Sequence, residues 1–374
     1  MGKSYRIVEV KTKKELKMFI KFPNKLYEGC EQYVPALYKD QVYSLTKISS
    51  LAFCENKLWL VLDEKKVVGR ISAFINPRYN EHFGLKRGRF GWFDTIDDIE
   101  VARLLFETAQ EWLRQKGMAQ IHGPLFYNTL GKQGMLVEGF ENTPPFNCIY
   151  NYPYYVKFIE ELGYVKECDW IQYKLNADQD VPERLEKISA RLIERYKLED
   201  ANIEKLVKDD ALVNRFFDAY NASFTNVVYN FIPMTQEEVE EEKKNILPIL
   251  DNKLSSILLD ENKEFAAYGI AIPSISQALK KAKGSLFPFG WWHMLRAFKN
   301  CETIDLMLSG AAPKWQNTGV SSVFHQIMAN KFKKAKVKWA ITNPQIETNK
   351  AVNVWAAYEN EPYMRRRAYI KDLE

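Results

Sequence analysis

The sequence predicts an α/β (α+β) protein built from two consecutive domains, at residues 1–176 and 177–374. The chain of 374 residues is too long for one ordinary hydrophobic core, and its length favours about two domains. A similar hairpin pattern occurs in each half, followed each time by a strand, a long helix, a strand, a short helix and a strand. Near residue 310, a strand leads through a turn of small residues into a helix, which is an anion-binding pattern.

The composition is that of a globular protein, with 46% hydrophobic and 27% charged residues. The net charge of +5 suits anionic carriers or lipid headgroups, and its spread along the chain argues against nucleic-acid binding. Five scattered cysteines without a CxxC pair argue against a zinc site and suit a reducing cytoplasm. No apolar run approaches the roughly 20 residues of a membrane span. We therefore expect a cytoplasmic protein that binds no metal.

The duplication rests on two hairpins. Residues 57–77 read KLWLVLDEKKVVGRISAFINP, and residues 253–273 read KLSSILLDENKEFAAYGIAIP. The first Lys and the last Pro are both displaced by 196 positions. A period this long indicates a duplicated domain.

Helix starts are marked by short polar motifs. Thr12-x-x-Glu15 and Thr235-x-x-Glu238 each predict a capping box. Thr95-x-x-Asp98 predicts the cap of a long helix, after a strand at residues 88–93. The buried stripe predicted for this helix is Ala102, Leu105, Phe106, Ala109, Trp112 and Leu113.

The most informative turn lies at residues 310–321, between a strand and a helix. Unpaired backbone N–H groups and the positive end of the helix dipole make such a helix start an anion site. Gly319 and Ser321 let a phosphate group approach the backbone closely. The alternative is a plain strand–turn–helix connection with a tight glycine.

The turn Gln316-x-x-Gly319-x-Ser321 resembles the pyrophosphate-binding pattern of the GNAT superfamily, (Gln/Arg)-x-x-Gly-x-(Gly/Ala), with serine in the last place. The resemblance implies two tandem GNAT-like domains, each a mixed, mostly antiparallel, twisted sheet flanked by helices. It also implies an acyl-CoA or acyl-ACP donor. The residues that would bind this donor are Leu308, Gly310, Gln316, Asn317, Thr318, Gly319, Val320 and Ser321.

The resemblance further implies a tyrosine that protonates the departing thiolate, and Tyr358 matches it, on a short helix predicted at residues 349–358. A phenol with a pKa of about 10 can protonate a thiolate of similar basicity. Tyr358 also continues an apolar stripe, so a core role is the alternative.

An amine must lose a proton before it attacks a thioester. The candidate bases are Glu347, Glu138 and His122. The alternative interpretation is a solvated loop carboxylate for Glu347 and a structural histidine for His122.

The first half lacks the glycine turn. At the corresponding place stand Asp94, Asp97 and Asp98, whose carboxylates repel a pyrophosphate, so we expect only the second domain to bind the donor. Residues 121–155 combine turn residues with aromatics and predict an acceptor-binding loop, with an ordered cover as the alternative. The expected acceptor-binding residues are Asn128, Tyr150, Asn151, Tyr154 and Tyr155.

A narrower resemblance extends over the whole chain. Gly123-Pro124, Gly139-Phe140, Tyr154-Tyr155 and the ending at residues 365–369 look like those of bacterial tandem-GNAT proteins, some of which are implicated as bacterial ceramide synthases. This implies an N-acyltransferase (N-acetyltransferase type) of lipid metabolism that acts on an amine acceptor such as a sphingoid base. The alternative function is a non-catalytic ligand- or lipid-binding protein on a GNAT scaffold.

One segment bears on membrane contact. Lys280, Lys281 and Lys283 precede an apolar run that contains Trp291 and Trp292. Either this segment rests on an anionic bilayer, which makes the protein peripheral to the inner membrane, or it is a helix packed on the sheet.

Overall fold

The computed structural model describes residues 4–225, 229–299, 301–348 and 358–373. The elements of the first half are β1 (Tyr5–Glu9), α1 (Lys13–Leu26), α2 (Tyr38–Thr46), β2 (Glu55–Asp63), β3 (Lys66–Ile75), α3 (Pro77–Phe83), β4 (Arg87–Thr95), α4 (Ile99–Gln115), β5 (Gln120–Gly123), β6 (Met135–Glu138), α5 (Tyr154–Glu161) and β7 (Val165–Asn176).

The elements of the second half are α6 (Glu183–Tyr196), β8 (Glu199–Asp200), α7 (Ile203–Leu206), α8 (Asp210–Phe224), α9 (Gln236–Ile246), β9 (Ser256–Leu259), β10 (Phe265–Pro273), α10 (Ser276–Ala282), α11 (Gly290–Lys299), β11 (Thr303–Ala311), α12 (Val320–Lys334), β12 (Trp339–Ile341), β13 (Gln345–Ile346) and β14 (Asn360–Asp372). Short 3-10 turns occur at Ser49–Ala52, Leu247–Ile249 and Pro313–Trp315. The helix predicted at residues 349–358 lies outside the described residues, apart from Tyr358.

These elements form two compact units. The first runs to residue 170 and also contains residues 275–295 and those from 364 onward, and the second contains residues 171–274 and 296–363. With the expected boundary at residue 176, residues 275–295 and those from 364 onward would belong to the second domain. In the structure they pack with the first unit. The physical reasons are that β14 pairs with β5 and that Ile275 and Leu279 are buried against Val34.

The sheet of the first unit has the strand order β1-β2-β3-β4-β5-β14, with β6 added to β14. Every pairing in it is antiparallel except the parallel pair β4/β5. The predicted hairpin is present, with Leu60 opposite Arg70. One face packs against α4 and the other against α1, as the composition of the two hydrophobic clusters shows.

The long helix of the first unit has the predicted buried face but a different start. All six residues of the predicted stripe are buried, which confirms the 3-4-3-4 pattern. The prediction that Thr95 opens the cap was wrong, because Thr95 is the last residue of β4. Asp98 is the N-cap itself, and its Oδ1 accepts from the N–H of Glu100 at 3.0 Å. The capping boxes at Thr12 and Thr235 are both confirmed.

The sheet of the second unit has the order β8-β9-β10-β11-β12-β7, in which β11/β12 is the parallel pair. The other pairings are antiparallel. Helices α6 and α12 cover one face, where Leu258, Ile304 and Phe324 belong to one buried cluster. Phe216 of α8 stacks edge-on against Tyr268 on the opposite face. Both units are therefore mixed, mostly antiparallel sheets flanked by helices, as predicted.

The two sheets share their irregularities as well as their strand order. Val68 is an extra residue where β3 pairs with β2, and Ala266 is an extra residue where β10 pairs with β9. A second bulge follows in each unit. In the first unit, Ile71 of β3 faces two residues of β4. In the second unit, Met307 is an extra residue of β11 where this strand pairs with β10. The corresponding strand pairs of both units thus each contain a bulge, which fits a duplicated domain.

The first unit contains a buried ion pair between Arg70 and Asp94, which gives a test of its fold. Arg70 donates to Asp94 Oδ2 at 2.7 Å, and the side chains of both are less than a tenth exposed. We expect Asp94→Ala to lower the free energy of unfolding of this unit by about 3–5 kcal/mol, because Arg70 is left as a buried, unpaired charge. Urea unfolding measures the loss.

The matched control is Glu111→Ala, which removes the exposed partner of Arg114 in the same unit. An exposed pair of this kind contributes about 0.5 kcal/mol or less. Equal losses in the two variants would contradict the role assigned to the buried pair.

Candidate functional site

The candidate site begins where the pairing between two parallel strands of the second unit ends. β11 pairs with β12 from Thr303 to Asp305, but β11 itself continues to Ala311. From Leu306 onward no described strand pairs with this side of β11. The bulge at Met307 lies at the start of this open stretch. Bulges redirect backbone groups, so the open edge presents N–H and C=O groups to an extended ligand.

A cavity lies along the open edge of β11. It encloses about 620 Å³ of empty space, including its opening to solvent. Its lining includes Leu306, Leu308 and Ser309 of β11 and Phe324, Met328 and Phe332 of α12. Binding cavities for small molecules are mostly apolar. The lining therefore suits the apolar part of a ligand.

The glycine turn has the backbone geometry of an anion site. Gly319 is the N-cap of α12 with a φ of +86°, a value that L side chains rarely adopt. Gln316 Nε2 donates to the carbonyl oxygens of Ser223 at 3.1 Å and Ala311 at 3.3 Å, which fixes the turn to α8 and β11. Within the described chain, no group accepts from the backbone N–H of Gly319 or Ser321. These donors stand at the positive end of a fifteen-residue helix.

In the first unit, the corresponding strand edge is already occupied. β4 and β5 also part after three residue pairs, the last of which is Arg89 with His122. Beyond that point Tyr155 Oη accepts from the N–H of Thr95 at 2.9 Å, and Tyr154 Oη donates to the Thr95 carbonyl at 2.7 Å. The start of α4 is capped by the carboxylate of Asp98. Protein groups thus occupy the places that an anionic carrier needs.

Asp305 is a buried carboxylate beside the open edge that the sequence reasoning missed, and it does not belong to the lining of the cavity. It lies on β11 at the last paired position before the open edge and is 2% exposed. Neither carboxylate oxygen has a hydrogen-bond partner of regular geometry in the described structure. Burial raises the pKa of Asp305 to about 7, and the nearby Ser274 hydroxyl moderates the shift. An Asp between Ile304 and Leu306 in an apolar strand was the signal that could have identified it.

Two titratable groups line the cavity, Tyr358 and His325. Burial raises the pKa of Tyr358 to about 12, so this phenol keeps its proton at neutral pH. His325, on α12, is neutral, because burial lowers its pKa to about 3. A neutral phenol can hydrogen-bond to a departing thiolate, but the raised pKa makes Tyr358 a weaker acid than the sequence reasoning assumed.

The other predicted catalytic residues are not part of the cavity lining. Glu347 is exposed in the turn after β13. Glu138, in the first unit, forms an ion pair with Arg365 at 3.1 Å. His122 is fully buried, with Nδ1 3.1 Å from Glu167 Oε2, and burial lowers its pKa to about 4.

The predicted acceptor-binding residues form hydrogen bonds within the first unit. They are Asn128, Tyr150, Asn151, Tyr154 and Tyr155. Asn151 is buried, and its side chain bonds both the N–H and the C=O of Leu136. Asn128 Oδ1 accepts from the backbone N–H groups of Leu130 and Gly131. These contacts order residues 121–155 from within.

Solved structures share the fold of this chain. A tandem GNAT protein from the clavulanic acid biosynthesis pathway aligns with a TM-score of 0.59 at 12% identity, over 99% of each chain. The chain has the tandem GNAT fold. A glucosamine N-acetyltransferase region of a fungal β-N-acetylglucosaminidase gives 0.62 at 12% identity, over 99% of this chain and 38% of that one. The GNAT-like fold expected from the sequence is confirmed.

Two curated proteins resemble the chain over nearly its full length. Bacterial ceramide synthase of Caulobacter vibrioides (strain NA1000 / CB15N) is 28% identical, over 98% of this chain and 97% of that protein. Protein YghO of Escherichia coli (strain K12) is 27% identical, over 96% and 94%. No family model matches the chain. Among the described residues, no helix has the length and apolar character needed to span a membrane.

The turn at Gly319 can be tested by substitution. We expect Gly319→Glu to weaken coenzyme A binding by at least about 100-fold, because the carboxylate repels the pyrophosphate and the new side chain strains a positive φ. Isothermal titration calorimetry measures the affinity. The matched control is Gly117→Glu, since Gly117 also has a positive φ, with no atom within 4 Å of an added Cβ. Undiminished affinity in the Gly319 variant would remove the turn from the site.

Proposed function

We propose that this protein is an acyl-thioester-dependent N-acyltransferase whose second unit binds the acyl donor. The observation that carries the proposal is the open edge of β11, with a cavity beside it and the Gly319 turn at its end. An acyl donor has three matching parts: an anionic phosphate group, an extended amide-containing arm and an apolar acyl chain. The proposed reaction takes place in the cytoplasm.

The donor is acyl-CoA or acyl-ACP. Its phosphate oxygens would accept from the N–H groups at the start of α12. Its pantetheine arm carries amide groups, which can bond the unpaired edge of β11 as an added strand does. Leu308 and Gly310 lie on that edge. The acyl chain would enter the apolar cavity between β11 and α12.

The acceptor proposed is a long-chain lipid amine such as a sphingoid base. The full-length similarity to a protein named bacterial ceramide synthase supports this choice, at 28% identity. The apolar lining of the cavity suits a long acyl chain, which fits the same lipid chemistry. We infer that residues 121–155 of the first unit bind or shape the acceptor.

The chemical step is an amine attack on the thioester carbonyl. The amine nitrogen forms a bond to the carbonyl carbon, and the C–S bond breaks. Asp305, with a pKa of about 7, would take the proton that the amine loses. Tyr358 would return a proton to the departing thiolate. Backbone N–H groups on the open edge of β11 would polarise the carbonyl oxygen.

A second candidate is a non-catalytic protein that binds an acyl thioester on the same scaffold. The observation in its favour is the first unit, in which tyrosines close the corresponding strand edge. This observation supports a GNAT-like domain that serves without a carrier. Fold alone does not determine activity.

Thermal stabilisation and thiol release together test the proposal. We expect the midpoint of unfolding to rise with coenzyme A and to rise further from acetyl- through octanoyl- to palmitoyl-CoA, because longer chains bury more apolar surface. Adding sphinganine to palmitoyl-CoA should then release free thiol at the rate of amide formation. The matched control is a long-chain alcohol without the amine.

Stabilisation without thiol release from any amine would favour the non-catalytic candidate. No stabilisation by any CoA thioester would require the same experiment with acyl-ACP, and failure there too would overturn the proposal.

Asp305 gives the reaction a predicted pH dependence. We expect kcat/KM to fall below pH about 7, where the carboxylate is protonated. Asp305→Asn should lower kcat/KM by about 100- to 10,000-fold and abolish that limb of the profile. A profile unchanged in the variant would exclude Asp305 as the base.

The same carboxylate gives a readout that is independent of activity. Its pKa is raised in the folded state, so the unfolded chain loses this proton first as the pH rises. The free energy of unfolding should therefore fall by about 1.4 kcal/mol per pH unit from pH about 4 to the folded-state value of about 7. Asp305→Asn should lack this slope, as measured by urea unfolding across the pH range.

A further inference from the structure

The first unit carries an exposed aromatic surface that the proposed function does not use. It consists of Phe287, Phe289, Trp291, Trp292 and Leu295, which we call the aromatic surface. Phe287 and Phe289 are each 73% exposed, and the two tryptophans are about half exposed. Large apolar side chains packed this densely on a surface mark an interaction site.

The segment that carries the aromatic surface is firmly attached at its base. Ile275 and Leu279 are buried against Val34, and Met294 packs on the same cluster. Ser276 Oγ donates to the carbonyl oxygen of Pro144 at 2.9 Å. The exposed aromatics therefore project from a fixed platform, rather than from a loose end of the chain.

Helix α11 turns its apolar stripe outward. Trp291 and Leu295 are four residues apart on one face, and both are exposed. A helix on an aqueous surface normally buries this face and exposes polar groups. The reversed arrangement is that of a helix lying at an apolar–aqueous boundary, with tryptophan at the level of lipid headgroups.

The charge beside the aromatic surface is positive. Lys281 and Lys283 are exposed. Arg296 and Lys299 follow on α11. No Asp or Glu occurs from residue 265 to residue 301. A basic rim around exposed aromatics complements an anionic bilayer, and it disfavours a basic protein partner.

We propose that the aromatic surface docks the protein on an anionic membrane, with the aromatics inserted among the headgroups and Lys281 and Lys283 beside the lipid phosphates. This inference goes beyond the proposed acyltransferase function and does not depend on it. A lipid-derived acceptor would be abundant at such a surface.

Vesicle flotation with the full chain tests the docking surface. We expect the protein to float with vesicles of phosphatidylcholine plus phosphatidylglycerol, and far less with phosphatidylcholine alone. Phe287→Ser/Phe289→Ser should weaken vesicle binding by at least about tenfold through lost insertion. Lys281→Glu/Lys283→Glu should weaken it by at least about tenfold through lost attraction, and added salt should imitate that effect.

Each variant has a matched control. Phe83→Ser removes an aromatic side chain that is 43% exposed elsewhere on the first unit. Lys65→Glu/Lys66→Glu reverses two exposed charges in the turn between β2 and β3. Both controls should float like the wild type, and all variants should keep its unfolding midpoint, so that misfolding is not the cause.

Three outcomes would overturn the docking proposal. They are equal flotation with neutral and anionic vesicles, unchanged flotation of both surface variants, and a dimer in solution that Phe287→Ser/Phe289→Ser dissociates. The last result would identify a second copy of the chain as the occupant. The flotation experiment contains no acyl donor, so its result is independent of catalysis. A protein that floats but has no acyltransferase activity would leave the docking proposal intact. A protein that is active but does not float would refute the docking proposal alone.

Discussion

The loss of strand pairing after Asp305 is the constraint on which the candidate site depends. A strand that continues without a neighbour leaves N–H and C=O groups without partners, and such groups must find partners elsewhere. In the second unit that side of β11 faces a cavity with a mostly apolar lining. A ligand that is extended, amide-bearing and apolar at one end satisfies both the strand and the cavity. The bulge at Met307 lies at the start of the open edge, and the helix start at Gly319 follows its end.

The first unit shows a second solution to the same constraint. Its parallel strands also part, but the hydroxyls of Tyr154 and Tyr155 satisfy both backbone groups of Thr95. Tyr155 is fixed in turn by a buried network around Asp94, in which Tyr27 donates to Asp94 at 2.9 Å. We propose that this edge binds a ligand in the second unit, whereas in the first unit the protein's own side chains form hydrogen bonds with it. Duplication of a fold does not duplicate its site.

Buried titratable groups differ in the partners that they have. In the first unit Asp94 and His122 are buried with partners, Arg70 and Glu167. In the second unit Asp305 is buried without a regular hydrogen bond in the described structure. A buried carboxylate with few hydrogen-bond partners costs stability, and such groups are common at functional sites. The Ser274 hydroxyl lies near Asp305, so the proposal that Asp305 acts in chemistry rests on its place beside the open edge of β11.

The sequence by itself determined the local features whose causes lie within a few residues. Both hairpins, the capping boxes at Thr12 and Thr235, the buried stripe of α4 and the glycine at the start of α12 depend on spacing and backbone freedom. Only the tertiary structure decided what depends on distant partners. The burial of Asp305, the tyrosines at Thr95 and the packing of residues 275–295 on the first unit all arise from contacts between remote segments. Periodicity carries no information about such contacts, because it reports only which face of an element is apolar.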